Sequence, residues 1–217
     1  MKIQFLGGST FVFKSDYGTM VLDPTDDKNI KLSPQAADVC VISDVRYANT
    51  EKVKADNEEK GLYVIDGQGE YEIDGIFVDV TAYHGRYMDE DKDLVVKIRI
   101  DGVTIIYLGY MNHPLTKKEI EKFNTVDVLI APIATGDFLS YESLESVINV
   151  ANPAIFIPSL YSEGGSHSAI ENVASLEDYN KKFGKQTLEE EKILKVNSTD
   201  FSSDEDVPMR TVVLKKS

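Results

Sequence analysis

The first half of the chain is a succession of short apolar or alternating runs separated by turn signals. Lys2 to Leu6, Thr10 to Lys14 and Thr19 to Leu22 have the length and the aromatic and β-branched content of strands, with Ser15-Asp16-Tyr17-Gly18 turning the chain between the last two. Asp38 to Ser43 is a continuous apolar run bounded by polar residues, as expected of a strand covered on both faces. Thr50 then offers an N-cap for a short polar helix through Lys60. Leu62 to Ile65, Glu70 to Ile73 and Ile76 to Thr81 continue the strand pattern. The pairs Asp74-Gly75 and Asp101-Gly102 mark tight hairpins, the second joining Leu94 to Ile100 with Val103 to Leu108.

The second half alternates helix with strand. Thr116 with Glu119 forms a capping-box signature for a helix to Phe123, and Ser140 caps a helix to Ala151. Strands are expected at Val126 to Ala131 and Ala154 to Ile157. Ser175 to Phe183 is predicted as a last helix ended by Gly184, followed by strands at Lys192 to Val196 and Met209 to Leu214 around the acidic loop Asp200 to Asp206. A strand-rich half followed by βαβ units, with no linker between, predicts one α/β domain over residues 1–217: two packed sheets with helices outside, a four-layer αββα sandwich.

Composition narrows the partners. With 23 Lys and Arg against 37 Asp and Glu, the net charge is −14, a field that repels phosphate backbones and anionic lipid surfaces, so nucleic acid and membrane are excluded as expected partners. A chain of 217 residues buries enough surface to fold without a structural metal. One cysteine, Cys40, rules out an internal disulfide, and with no signal-like segment or long apolar span the expected location is the cytoplasm.

Several pieces, taken in order and spacing, carry a resemblance: Phe5-Leu6-Gly7-Gly8-Ser9 with Leu22-Asp23-Pro24, Ala37-Asp38-Val39 leading to Ile42-Ser43, Gly67-Gln68-Gly69-Glu70-Tyr71, Tyr83-His84-Gly85, Tyr107-Leu108-Gly109, and Val126 to Pro132 with Ile157-Pro158. Together they resemble the metallo-β-lactamase superfamily, in particular its small metal-dependent hydrolases akin to L-ascorbate-6-phosphate lactonase. That resemblance implies the αββα fold and a cleft in which two metal ions activate a hydroxide, held by an H-x-H-x-D-H loop and a later His, Asp and His. Imidazoles and carboxylates supply the N and O donors such ions take, and the ions lower the pKa of the bridging water.

Aligned on Ser43, the loop here gives Asp44, Arg46, Ala48 and Asn49 at the four ligand slots. The later slots fall on His84, Tyr110 and Leu160, and Gly8 stands where the branch carries a His. One ligand of seven, His84, survives. Ala48 and Leu160 have no donor, and Arg46 brings a fixed positive charge that repels a metal. The expected cleft positions are therefore Asp23, Asp44, Arg46, Asn49, His84, Tyr110 and Leu160, with Asp44, His84 and His113 as weak metal candidates. Two roles stay open for Arg46: bridging Asp23, Asp44 or both in place of the metal, or pointing into solvent from its loop.

Other constellations carry less. The Gly7-Gly8-Ser9-Thr10 turn could cradle an anion but lacks the Lys and helix of a P-loop, and Gly67-Gln68-Gly69 lacks the third Gly of a dinucleotide fingerprint. Ser159, Ser166 and His167 supply the residue types of a hydrolase triad without a G-x-S-x-G elbow. Gly164-Gly165-Ser166-His167-Ser168 is expected to be a mobile loop, and Glu189-Glu190-Glu191 and Asp204-Glu205-Asp206 solvated charge runs. The expected function is a non-catalytic pseudoenzyme that needs no cofactor and binds an unidentified small molecule or protein, with self-association left open. The alternative is a hydrolase of phosphoester or lactone bonds with one weakly bound Zn or Mn.

Overall fold

The computed structural model describes residues 1–84, 92–133, 138–162, 170, 173–183, 188–201 and 208–217. Strands β1 (Lys2–Gly7), β2 (Thr10–Lys14) and β3 (Thr19–Leu22) form the expected antiparallel meander. They are followed by β4 (Gln35–Ala37), β5 (Val39–Val41), β6 (Val53–Ala55) and β7 (Tyr63–Ile65). Then come β8 (Gly69–Ile73), β9 (Ile76–His84), β10 (Lys92–Ile100) and β11 (Val103–Tyr107). Helix α1 (Lys117–Glu121), β12 (Val128–Pro132), α2 (Tyr141–Ala151), β13 (Ile155–Ser159) and α3 (Leu176–Lys182) follow, and β14 (Leu188–Glu191), β15 (Ile193–Lys195) and β16 (Arg210–Leu214) close the chain.

One main sheet has six strands in the order β15-β1-β2-β3-β5-β7 and the other eight in the order β14-β16-β13-β12-β11-β10-β9-β8. Both predicted Asp-Gly hairpins are present. Their Asp and Gly all take the positive φ that such two-residue turns require: 50° and 90° at Asp74-Gly75, 55° and 73° at Asp101-Gly102. The main core lies between the sheets and draws alternate residues from each: Phe11, Phe13, Met20, Leu22, Val39 and Val41 from one, Val78, Val80, Val96, Ile98, Ile105 and Tyr107 from the other. Burying a side chain of this size contributes about 1.5–3 kcal/mol.

Helices cover the outer face of the eight-stranded sheet, where β12 and β13 are buried along their whole length. Helix α3 presents Tyr179 to Phe156 at 5.8 Å and to Phe183 at 4.6 Å, both stacked, and α2 inserts Leu144 and Val147. Thr116 and Ser175 make full capping boxes with Glu119 and Asp178, and Ser140 caps α2. The outer layer on the six-stranded sheet is thinner. There Val12, Val21, Cys40 and Ile42 pack on Ala37 and Val53, and the two-stranded pair β4-β6 supplies the cover.

That packing corrects the helix expected from Thr50 to Lys60. Asn49, not Thr50, caps a single 3₁₀ turn over Thr50–Lys52, and the chain then extends into β6 because Val53 is pulled into the apolar cluster beside Ala37. The Glu189-Glu190-Glu191 run keeps its carboxylates part-exposed to solvent, as expected, and does so on a strand that the pattern did not predict. β14 pairs in parallel with β16, and Arg210 and Lys215 neutralise its carboxylates in ion pairs with Glu189 and Glu190. The stretch Gly164 to Ser168, Gly184 and Asp204-Glu205-Asp206 lie outside the described residues. Among the described residues no helix is long and apolar enough to cross a membrane.

Candidate functional site

The ends of β3, β5, β9, β11 and β13 gather the positions expected to form the cleft, in three tiers. The deepest is Asp23, fully buried at φ 40°, where the chain leaves β3. Its backbone is fixed first: Asp23 N–H donates to Val41 O at 2.9 Å, and the Thr10 hydroxyl donates to Asp23 O at 2.8 Å. Its carboxylate then accepts from Ser43 N–H at 2.6 Å on Oδ1, and from the Ser43 hydroxyl at 2.5 Å and the Tyr107 hydroxyl on Oδ2. With its O–H directed at Asp23, the Tyr107 hydroxyl oxygen is free to accept from the Ser9 hydroxyl, 2.9 Å away. Two sheets are thus joined through one buried carboxylate.

Burial pushes the Asp23 carboxyl up from 3.8 to about 6, against the hydrogen bonds of Ser43 and Tyr107, which favour its ionised form. Burial likewise lifts the Tyr107 phenol well above its ordinary value, with the adjacent Asp23 charge adding to it, so the proton stays on tyrosine. Gly109, at φ 51°, lies against this tier. A Cβ there would come 2.1 Å from Ser43 Oγ, so no side chain fits beside the serine that holds Asp23.

The middle tier is apolar. Tyr110 and Leu160, two of the ligand slots, are buried together with Phe138 and Ile170, and Tyr47 and Val173 pack against them. The Tyr47 and Tyr110 rings stack at 4.4 Å. Leu160 takes φ 50° and donates its N–H to Gly8 O at 2.9 Å, which seats its side chain in the cluster. The Tyr110 hydroxyl is buried beside Thr25, and burial holds its pKa well above 10.

The outer tier is the ion pair Asp44–Arg46. Arg46 Nε donates to Oδ1 at 2.9 Å and Nη2 to Oδ2 at 2.6 Å, while the Arg46 guanidinium lies 5.5 Å from the centre of the Tyr47 ring. The two residues border a cleft of about 430 Å³ also lined by Ser43, Asp66, Gln68 and, on its apolar side, Ile42, Ala82 and Leu94.

The expected positions therefore do not share one surface. Arg46 holds Asp44, but Asp23 is sealed behind Ser43 and is held by hydroxyls and an amide, so the bridge to Asp23 is not made. Asn49 serves the loop rather than the cleft: it caps the 3₁₀ turn through Glu51 N–H, and its own N–H donates to Pro24 O at 2.6 Å. His84 ends β9 opposite Lys92, two positions beyond the cleft-lining Ala82.

His113 is placed elsewhere. It sits 3.0 Å from Asp93 Oδ2, which also accepts from Asn112 N–H. Asp93 neighbours the cleft-lining Leu94 on β10, and successive strand residues point to opposite faces, so the His113–Asp93 pair lies across the sheet from Asp44. The two cannot share an ion. Ser159 is fully buried at the end of β13, out of reach for an attacking serine. Sequence reasoning missed Ser43 and Tyr107 as the holders of Asp23, and Tyr47 as a filler of the cleft. The adjacency of Ser43 and Tyr107 to the motifs Ile42-Ser43 and Tyr107-Leu108-Gly109 was their only signal.

Among the described residues the donor set does not fit the metal pair of the resembling hydrolases. Two slots sit in an aromatic and aliphatic cluster, one is an alanine, one is an arginine already paired with the remaining carboxylate, and Asn49 is committed to its loop. Among the described residues no three His, Cys, Asp or Glu side chains are grouped to hold a metal ion.

Comparison with known proteins identifies the fold. A family model described as the β-lactamase superfamily domain matches residues 2–159. Among curated proteins, none matches. An inferred Zn-dependent hydrolase of the metallo-β-lactamase superfamily from Thermotoga maritima superposes with a TM-score of 0.75 at 23% identity, covering 99% of this chain and 98% of that one. Igni18, a metallo hydrolase from Ignicoccus hospitalis, gives 0.59 at 16% identity over 100% and 95% of the two chains. The metallo-β-lactamase fold protein YhfI from Bacillus subtilis gives 0.59 at 10% identity over 100% and 97%. At these identities the likeness is one of fold.

Proposed function

The chain belongs to the β-lactamase superfamily, and from that premise we propose that it acts without the family's metal centre, as a non-catalytic binding member in the cytoplasm whose cleft takes a small molecule or a protein segment. The observation that carries this reading is the packing of Tyr110 and Leu160 against Phe138, Ile170 and the stacked Tyr47. A cation seated among these side chains would lose its hydration and find in return no carboxylate or imidazole, only phenol oxygens such as that of Tyr110, a penalty of several kcal/mol. Of the two carboxylates at the cleft, Asp44 is taken by Arg46. What the geometry leaves open is a cleft with an apolar wall at Ile42, Ala82 and Leu94 and a polar wall at Ser43, Asp44, Asp66 and Gln68, a division suited to orienting an amphipathic ligand.

Metal analysis of the full chain purified without chelator tests the proposal. The expected content is well under one equivalent of zinc, manganese or iron per chain, and micromolar zinc should leave the melting temperature unchanged, because a ligand stabilises only by RT ln(1 + [L]/Kd). Stoichiometric metal that survives dialysis, or a hydrolytic activity abolished by His84→Ala, would overturn it in favour of a hydrolase with a reduced metal set.

A further inference from the structure

Beside the end of α1, where Lys97 Nζ donates to Phe123 O at 2.9 Å, the outer face of β8, β9 and β10 carries a patterned set of side chains. Register aligns them in two rows across the three strands: Glu70, Asp79 and Lys97 in one, Glu72, Phe77 and Arg99 in the next. The face is therefore an acidic column on β8, a central column on β9 and a basic column on β10. Phe77 is 38% exposed with the Arg99 guanidinium 5.1 Å from its ring centre, and Tyr17, 55% exposed, extends the apolar strip by lying over Gly75. Concavities of about 470 Å³ and 330 Å³ share Phe77 and Arg99 on their walls, so the two side chains form a ridge between hollows. Glu70 and Glu72 on β8 and Arg99 on β10 stand on the two outer columns, with β9 between them.

We propose that this face is a self-association surface, and that two copies of the chain dock across it about a two-fold axis running along β9. A rotation about that axis exchanges the β8 side of one copy with the β10 side of the other while leaving each row at its own height. Glu72 of one copy then lies over Arg99 of the other, Glu70 over Lys97, and Phe77 against Phe77. Because an acidic column and a basic column flank the central one, which carries Phe77 and Asp79, the face is complementary to itself under this operation and to no simple charge of one sign. Asp79 meets its own counterpart near the axis, a repulsion flanked by the Lys97 of both copies. The pairing also answers the general repulsion of a chain with net charge −14: most of that charge lies elsewhere, and physiological salt screens it beyond about 8 Å.

The test is the mass in solution of the full chain at about 100 µM and physiological salt, by light scattering or sedimentation. The expected result is twice the chain mass, with Arg99→Glu and Glu72→Arg each weakening association by about tenfold or more and the two together in one chain restoring it. Phe77→Asp should leave a monomer. All these positions are exposed, and melting temperatures within a few degrees of the parent show that each variant folds. A parent chain that is monomeric at this concentration, or a dimer indifferent to the two charge reversals, overturns the proposal, as does a monomer that holds an unrelated protein on this face.

Discussion

Replacing Asp23 by Asn removes a titrating group from a place where it has no cation to balance it. In the folded chain the carboxyl binds its proton with a pKa of about 6, against 3.8 when solvated, because burial penalises the charged form more than Ser43 and Tyr107 can offset. The folded state therefore holds the proton more tightly than the unfolded state. Stability from this group is fully present below about pH 4 and is lost as pH rises through about 6. At about 1.4 kcal/mol per pKa unit the whole span is about 3 kcal/mol, and between pH 4.5 and 7.5 the loss is about 2 kcal/mol.

The measurement is denaturant unfolding of parent and Asp23→Asn at closely spaced pH values, taking the difference between the two at each pH so that all other titrating groups cancel. The amide keeps an acceptor for Ser43 N–H, and the Ser43 and Tyr107 hydroxyls can turn to accept from its NH₂, so its own cost is constant with pH. The variant should be most destabilised relative to the parent near pH 4.5, and its deficit should shrink by about 2 kcal/mol by pH 7.5. Parallel curves would refute the buried, uncompensated carboxylate. A deficit that grows with pH would mean instead that the hydrogen bonds outweigh desolvation and that Asp23 is ionised well below its ordinary range.

Arg46→Ala should cost only about 1 kcal/mol, since the guanidinium is 45% exposed, and its effect should add to that of Asp23→Asn without coupling, as the two residues do not touch. A double-mutant cycle that departs from additivity by more than about 0.5 kcal/mol would contradict the tiered arrangement. Gly109→Ala should lower stability by about 2–3 kcal/mol or prevent folding, because its Cβ would collide with Ser43 Oγ at a left-handed φ; thermal melts check it. Cys40 is buried, its thiol pushed up to about 12 by desolvation, so it should stay unreactive toward a disulfide reagent at pH 8 until denaturant is added.

Alternation and turn chemistry made most of the fold legible, because the apolar residues that mark a strand in sequence are the ones that face the partner sheet. Thr10 to Lys14 and Thr19 to Leu22 emerge with the expected limits, and the Asp-Gly hairpins and the capping residues Thr116, Ser140 and Ser175 act as their chemistry dictates. The misses share a cause. Thr50 to Lys60 has helix-compatible composition, and nothing local in Leu188 to Glu191 marks a strand. Val53–Ala55 and Leu188–Glu191 become strands through partners remote in sequence, Gln35–Ala37 for one and Arg210–Leu214 for the other.

The candidate site divides in the same way. Alignment on Ser43 shows which ligands are missing, but not that Tyr47, Phe138 and Ile170 come from three separate segments to fill the space with Tyr110 and Leu160. A deletion and a replacement differ in what reversal would do. Were the ligands merely absent, Tyr110→Asp with Leu160→His would rebuild part of a metal centre and zinc would stabilise the variant. Since the slots lie in a packed apolar cluster, the pair should instead leave two buried polar groups without partners, at about 1–3 kcal/mol each, besides the lost ring stacking. The double variant is therefore expected to melt well below the parent and to gain nothing from micromolar zinc, Arg46 still holding Asp44. Melting curves with and without zinc decide the matter: a zinc-dependent rise of several degrees would show that the packing of Tyr110 and Leu160 is not what excludes the metal.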